Sequence, residues 1–156
     1  MKYGIVSNLI PLNIVEFCRK LIHSIMLQFK NSEKVFTIKG LSQAVEIPLG
    51  HQKMIILSGQ IPLNKQGELV GHDVKTQTIQ IFENIKDILE TCNAGLNDIV
   101  KLGIFISDIS QIAGYREARD QFINLDNPPA STLVEVKGLF RSDVIIEIEV
   151  TAVVGI

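Results

Sequence analysis

Over residues 143–154, DVIIEIEVTAVV, every second position from Val144 to Ala152 is apolar without a break. In an extended chain, successive side chains point to opposite faces. Val144, Ile146, Ile148, Val150 and Ala152 then share one apolar face, and Ile145, Glu147, Glu149, Thr151 and Val153 share the other. The first face is expected to pack on helices. The second sets two carboxylates about 6–7 Å apart among apolar neighbours, so it too is expected to be covered. A carboxylate on a covered face is costly unless paired or hydrogen-bonded. Glu147 and Glu149 are therefore pocket candidates, with an edge glutamate or an interface salt bridge as the alternative. Residues 128–136, PPASTLVEV, read as the partner strand.

The clearest helix opens at Asp73, a good N-cap, and runs with Thr78, Ile81, Phe82, Ile85, Ile88, Leu89 and Cys92 on one stripe. Asn93-Ala94-Gly95 ends it, with Gly95 expected in a left-handed cap. Residues 99–106 follow as a strand. Ser110 is expected to cap a second helix with Ile112, Tyr115, Phe122 and Ile123 on or near its inner face, stopped by Asn127-Pro128-Pro129. Upstream, residues 35–38 (VFTI), 42–47 (SQAVEI) and 53–58 (KMIILS) read as strands, and Gly59 implies tight backbone, a close approach, or a simple strand end.

Residues 1–33 differ from the rest. Ile14, Phe17, Cys18, Leu21, Ile22, Ile25 and Phe29 recur at helical spacing. The segment is an added amphipathic helix, an anchor or targeting segment, or upstream sequence before a start near Met26. The expected organisation is an N-terminal extension over 1–33 and one domain over 34–156. The order of elements gives an α+β fold, one sheet with both helices on one face. The other face, with Ile145 and Val153, is left for self-association.

Bulk properties narrow the function. The chain has 156 residues, is 46% hydrophobic and carries a net charge of −2; its mean hydropathy is +0.26 and its pI about 5.9. No apolar run reaches the roughly 18–20 residues of a membrane span. Nucleic-acid partners are not expected, because that binding rests on Lys and Arg neutralising phosphates. Cys18 and Cys92 fall on helical apolar stripes and read as buried free thiols, which fits a reducing cytoplasm. His23, His51 and His72 are scattered with no metal-ligand spacing, so neither a metal nor a cofactor is expected.

Several segments together resemble the RidA/YjgF family. SGQIPLN at residues 58–64 is similar to its SGQIP segment. IQIFENIKDILETCNAGLNDIV at 79–100 resembles its first helix and the A-G-x-x-x-D-x-V that follows. PASTLVEV at 129–136 lines up with P-A-R-S-x-V-E-V, and VIIEIEVTAV at 144–153 with its final strand. The match runs from about Val35 to Val154. It implies a RidA-like (chorismate-mutase-like) sheet, a homotrimer with a barrel-like core, and small-molecule clefts between subunits. It further implies hydrolysis of enamine and imine intermediates, with an arginine gripping the substrate carboxylate and a glutamate handling the attacking water.

Carried over by residue, the resemblance places that glutamate at Glu147 and the backbone groups of the cleft at Ser58 and Gly59. The arginine position holds Ser131. A tyrosine position holds Leu41, a cysteine position holds Leu133, and the loop before the last strand is one residue longer, with Phe140 where proline is usual. Serine cannot reproduce the two parallel hydrogen bonds of a guanidinium to a carboxylate. Arg141, in the longer loop, is the first candidate substitute cation, and Arg116 and Arg119 are further ones. With no cationic neighbour, Glu147 is expected to have a raised pKa. These departures favour a trimer that binds a metabolite and has left arginine-dependent deaminase chemistry. The alternative is an imine deaminase using Glu147 and a substitute cation. An older family label, translation-inhibiting endoribonuclease, gains no support from the acidic pI.

Overall fold

A computed structural model describes residues 26–155, together with Ile14 and Glu16. Six strands form one sheet: β1 (Gln28–Lys30), β2 (Ala44–Leu49), β3 (Gln52–Gln60), β4 (Ile99–Ile106), β5 (Ala130–Glu135) and β6 (Ile146–Gly155), with helices α1 (Val74–Thr91) and α2 (Ile112–Arg119). The spatial order is β1-β2-β3-β6-β4-β5. Every pairing is antiparallel except β4 with β5, which is parallel.

The alternation in β6 partitions as expected. Val144, Ile146, Ile148, Val150 and Ala152 are all buried, beside Ile55, Leu57, Leu102, Ile104 and Ile106 from β3 and β4. The α1 stripe closes over them, and Thr78, Ile81, Phe82, Ile85, Ile88, Leu89 and Cys92 are fully buried. Asp73 caps α1 by accepting from the Thr76 backbone N–H at 2.9 Å and its hydroxyl at 2.7 Å. Phe82 stacks on Phe122 with centroids 5.0 Å apart, which ties α1 to the segment after α2. Cys92 is a buried free thiol, and burial pushes its pKa up; Cys18 lies outside the described residues.

Neither α1 nor α2 lies on the other face. Cross-strand pairing puts Phe29, Val45, Ile56 and Thr151 in one row and Val134, Phe105 and Glu147 in another. Phe29, Ile56 and Val134 are exposed there, Phe29 at 66%.

Four local expectations are corrected. Residues 35–38 are not a strand. The buried Gln43 side chain takes their carbonyls instead: its amide donates to Phe36 O at 3.0 Å and Val35 O at 3.4 Å, and its oxygen accepts from Ser32 N at 2.6 Å. The first strand is β1, which lies inside the segment read as an extension; Phe29, placed on the helical stripe, pairs with Val45. Ile14 and Glu16 are helical, and most of that stripe, including Phe17 and Leu21, lies outside the described residues. After α1 the left-handed residue is Asn93 (φ 51°), whereas Gly95 is extended at φ −137°. Ahead of α2 the capping side chain is Asp108, which accepts from the Ser110 backbone N–H and opens a 3₁₀ turn over Ile109–Gln111.

Candidate functional site

The site begins at an irregularity in β3. Leu57 pairs with Val150 and Gln60 with Ile148, so three steps on β3 match two on β6. The extra residue is a bulge at Ser58-Gly59, a device that bends a strand and re-aims what lies beside it. Ser58 is fixed on three sides. Its N–H donates to Gln43 O at 3.0 Å, its hydroxyl donates to Ser42 O at 2.7 Å, and its carbonyl accepts from the Gln60 amide at 2.9 Å.

Glu147 occupies the space that a side chain at position 59 would need. A Cβ on Gly59 would collide with Glu147 Oε1 and stand 2.9 Å from Cδ. The sequence expectation of a close approach at Gly59 is thus met by the candidate carboxylate itself. Glu149 uses the neighbouring glycine in the same way: a Cβ on Gly103 would meet its Cγ at 2.7 Å. Glu147 is half-buried, and its carboxyl makes no hydrogen bond or ion pair to any described residue. Burial raises its pKa above 4.5, and the Glu149 carboxylate adds to the rise. A carboxylate whose pKa is raised in this way is a stronger base towards water than an exposed glutamate.

Gly59 also forms part of the wall of a narrow cavity of about 50 Å³, with Leu41, Ser58, Phe36, Ile38 and Leu63. Asn84 of α1 holds the loop below it, donating to Leu63 O at 3.0 Å and Ile61 O at 3.3 Å. A wider hollow of about 340 Å³ adjoins across Phe36, Ile38 and Leu63 and contains Arg141 and Phe140. The structure therefore brings together Leu41, Ser58, Gly59 and Glu147.

It does not bring the other candidates to that point within one chain. Arg141 sits in the adjoining hollow, and its Nε and Nη2 are both taken by Asp143, at 2.9 and 2.6 Å. Ser131 and Leu133 lie on β5, which β4 separates from β6, a lateral distance of about 10 Å. Their register partners are Leu102 and Ile104, so they face the helix side, whereas Glu147 faces the open side. Thr132, between them, pairs with Gly103 on the open side and accepts from Lys101.

Sequence reasoning missed Gln43 and Asn84, the polar residues that set the cavity walls. Asn84 leaves a trace in the sequence, a polar residue between Phe82 and Ile85 on the buried stripe. Among the described residues no His, Cys, Asp and Glu cluster could hold a metal, and no helix is long and apolar enough to cross a membrane.

Comparisons with known proteins agree with this geometry. The family model described as Endoribonuclease L-PSP matches residues 32–154. A RutC family protein of Pyrococcus abyssi is 37% identical over 127 residues, covering 77% of this chain and 95% of the relative. The 2-iminobutanoate/2-iminopropanoate deaminase of Salmonella typhimurium is 39% identical over 102 residues, covering 64% of this chain and 79% of that enzyme. Among solved structures, RidA from an Antarctic Psychrobacter superposes with a TM-score of 0.72 at 30% identity, covering 81% of this chain and 99% of that one. The YjgF gene product of Escherichia coli gives 0.70 at 34%, covering 81% and 98%. With the family model matching residues 32–154 and a relative 37% identical over most of its own length, the chain belongs to the Endoribonuclease L-PSP family, the RidA/YjgF family that its motifs resemble.

Proposed function

We propose that the chain hydrolyses reactive imines in a small-molecule cleft whose reacting group is Glu147. The observation that carries this reading is the carboxyl itself: half-buried, unpaired, with a raised pKa, seated over Gly59 beside a cavity. In the reaction, water adds to the C=N carbon while Glu147 accepts its proton. The carboxylic acid so formed gives that proton to the nitrogen, which leaves a carbinolamine. Glu147 then takes the hydroxyl proton and passes it to the amino nitrogen as the C=O forms and the C–N bond breaks, so ammonia leaves a carbonyl product. Curated relatives that bear the name of an imine deaminase, at 39–40% identity, support the reaction class.

The cleft is completed by further copies of the chain in a homotrimer. What supports this is the uncovered sheet face, together with a free edge at β5 that carries Ser131 and Leu133 away from their own Glu147. No nucleic acid, membrane or cofactor enters this reading, and a cytoplasmic setting fits it.

The test generates 2-imino acids with an amino-acid oxidase and follows their decay with and without the protein. Wild-type chain should accelerate the decay, and Glu147→Gln should abolish the acceleration. Equal rates for the two would sink the proposal. The second reading, a trimer that binds a metabolite without turnover, is favoured by the pairing of Arg141 with Asp143 and by serine at position 131. Activity appearing only in a Ser131→Arg variant would select it.

A further inference from the structure

The narrow cavity beside Gly59 and the wider hollow next to it hold about 50 and 340 Å³. A ring the size of benzene takes a cavity of about 150 Å³. The inner space is well below that and admits a short alkyl group, whereas the outer space is well above it and admits a ring. The polar side chains of the inner wall are already engaged. The amides of Gln43, Gln60 and Asn84 and the Ser58 hydroxyl all donate to backbone carbonyls. Much of the remaining wall is aliphatic, from Val35, Ile38, Ile61 and Leu63. Such a cavity favours an apolar group and offers little to a polar one.

Phe36, Ile38 and Leu63 line both spaces and so stand between them. Leu63 is buried, and its carbonyl is held by Asn84. Phe36 is the largest of the three and is 38% exposed. Its ring rests on Gly67, where a Cβ would stand 2.7 Å from Cε2 and 2.9 Å from Cζ. Gly67 is fixed in turn. Its φ of 82° is a left-handed value that suits glycine. Its N–H donates to Asn64 O at 2.9 Å, and Asn64 Oδ1 accepts from the N–H groups of Gln66 and Glu68 at 3.0 Å. The Phe36 backbone is anchored independently of its ring, by the Gln43 amide on its carbonyl. The ring is thus a partition with a firm backstop, and its removal would join the inner space to the outer one.

We propose that Phe36 sets the length of the side chain that the protein accepts on its imine substrate. The inner cavity takes a short aliphatic group borne by the carbon that Glu147 serves, and the Phe36 ring stops anything longer. Gly59 is the link, since it seats Glu147 and forms part of the cavity wall. Phe36 touches none of the reacting atoms; it determines specificity. The choice of substrate rests on the imine-hydrolase reading; the length limit does not, and it is read by binding alone.

The test titrates straight-chain 2-oxo acids of increasing length, from 2-oxobutanoate to 2-oxooctanoate, and 3-phenyl-2-oxopropanoate into the full chain and reads affinity by calorimetry. Affinity should rise about fourfold for each methylene that enters the cavity and stop rising within the series. The phenyl compound should bind at least tenfold more weakly than the best straight-chain acid. In Phe36→Ala the rise should continue to the longest acid, and the phenyl compound should gain at least tenfold. Phe36→Leu should fall between the two, and it carries the comparison if the alanine variant does not fold. Phe140→Ala, which alters the outer hollow alone, should leave the limit at the same length. An equal limit in wild type and the Phe36 variants, a limit moved as far by Phe140→Ala, or no binding anywhere in the series would overturn the partition. Graded affinities of this form with no turnover of any imine would uphold it and remove the hydrolase reading instead.

Discussion

Replacing Gly59 by alanine tests whether the seat of Glu147 matters. The new Cβ would collide with Glu147 Oε1 and lie 2.9 Å from Cδ and 3.1 Å from Cγ, where ordinary contacts begin near 3.4 Å. Something must move by about 1 Å, and the obstacle is the end of a half-buried side chain rather than backbone. The folding cost therefore sits at the low end for overpacking, about 1 kcal/mol, partly offset by the lower chain entropy of alanine in the unfolded state. The chemical cost is larger, since misplacing a reacting group by about 1 Å can lower the rate about 100-fold. Gly103→Ala is the internal control. It collides similarly with Glu149, with Oε1 at 2.5 Å, at a comparable folding cost, but leaves Glu147 seated. Imine turnover and urea unfolding on both variants give the answer. Gly59→Ala should fall by about two orders of magnitude in rate, and Gly103→Ala by far less. A folded Gly59→Ala with wild-type turnover, or equal losses in both, would refute the reasoning.

Other outcomes follow from the same geometry. Glu147 has a native pKa above its ordinary 4.5, so its unfavourable contribution is absent below that pH and grows as pH rises through the raised value. Glu147→Gln should then raise the urea midpoint at pH 7 and leave it unchanged at pH 4; a gain at both values would contradict the assignment. Gln77 is fully buried, accepts from Ile145 N at 2.8 Å and donates to Asp143 O at 3.0 Å. Gln77→Leu strands those groups and should cost about 2–3 kcal/mol in chemical denaturation, whereas a loss under 0.5 kcal/mol, the size of an ordinary surface substitution, would mean that water replaces the amide. Gln43→Leu should release residues 31–41, seen as faster amide exchange there with β6 still protected; uniform exchange changes would deny the local role.

Regular periodicity made most of the fold readable. In β6 and α1 one face of each element is buried without exception, so period alone located both. The failures share a cause: a side chain replaced a backbone partner or a local residue competed for a cap. The run of strand-favouring residues at 35–38 lost its ladder to Gln43, and Asp108 reached the Ser110 amide that Ser110 itself could not satisfy. Phe29 happened to fit a helical stripe while belonging to a strand. At the site, Glu147 was legible from strand alternation, and the close approach at Gly59 from a glycine at the end of an apolar run. The capture of Arg141 by Asp143, and the seat of the Phe36 ring on Gly67, depend on where loops arrive in space, which spacing does not encode.

Under the proposed homotrimer, the sheet face that α1 and α2 leave open makes dilution a form of denaturation. Phe29, Ile56 and Val134 are exposed on it in one chain, and copies of the chain that cover them are linked to folding by mass action. The thermal midpoint should then rise with protein concentration, and loss of assembly and loss of fold should occur in one transition. The chain's working stability would be set by its abundance as much as by its sequence.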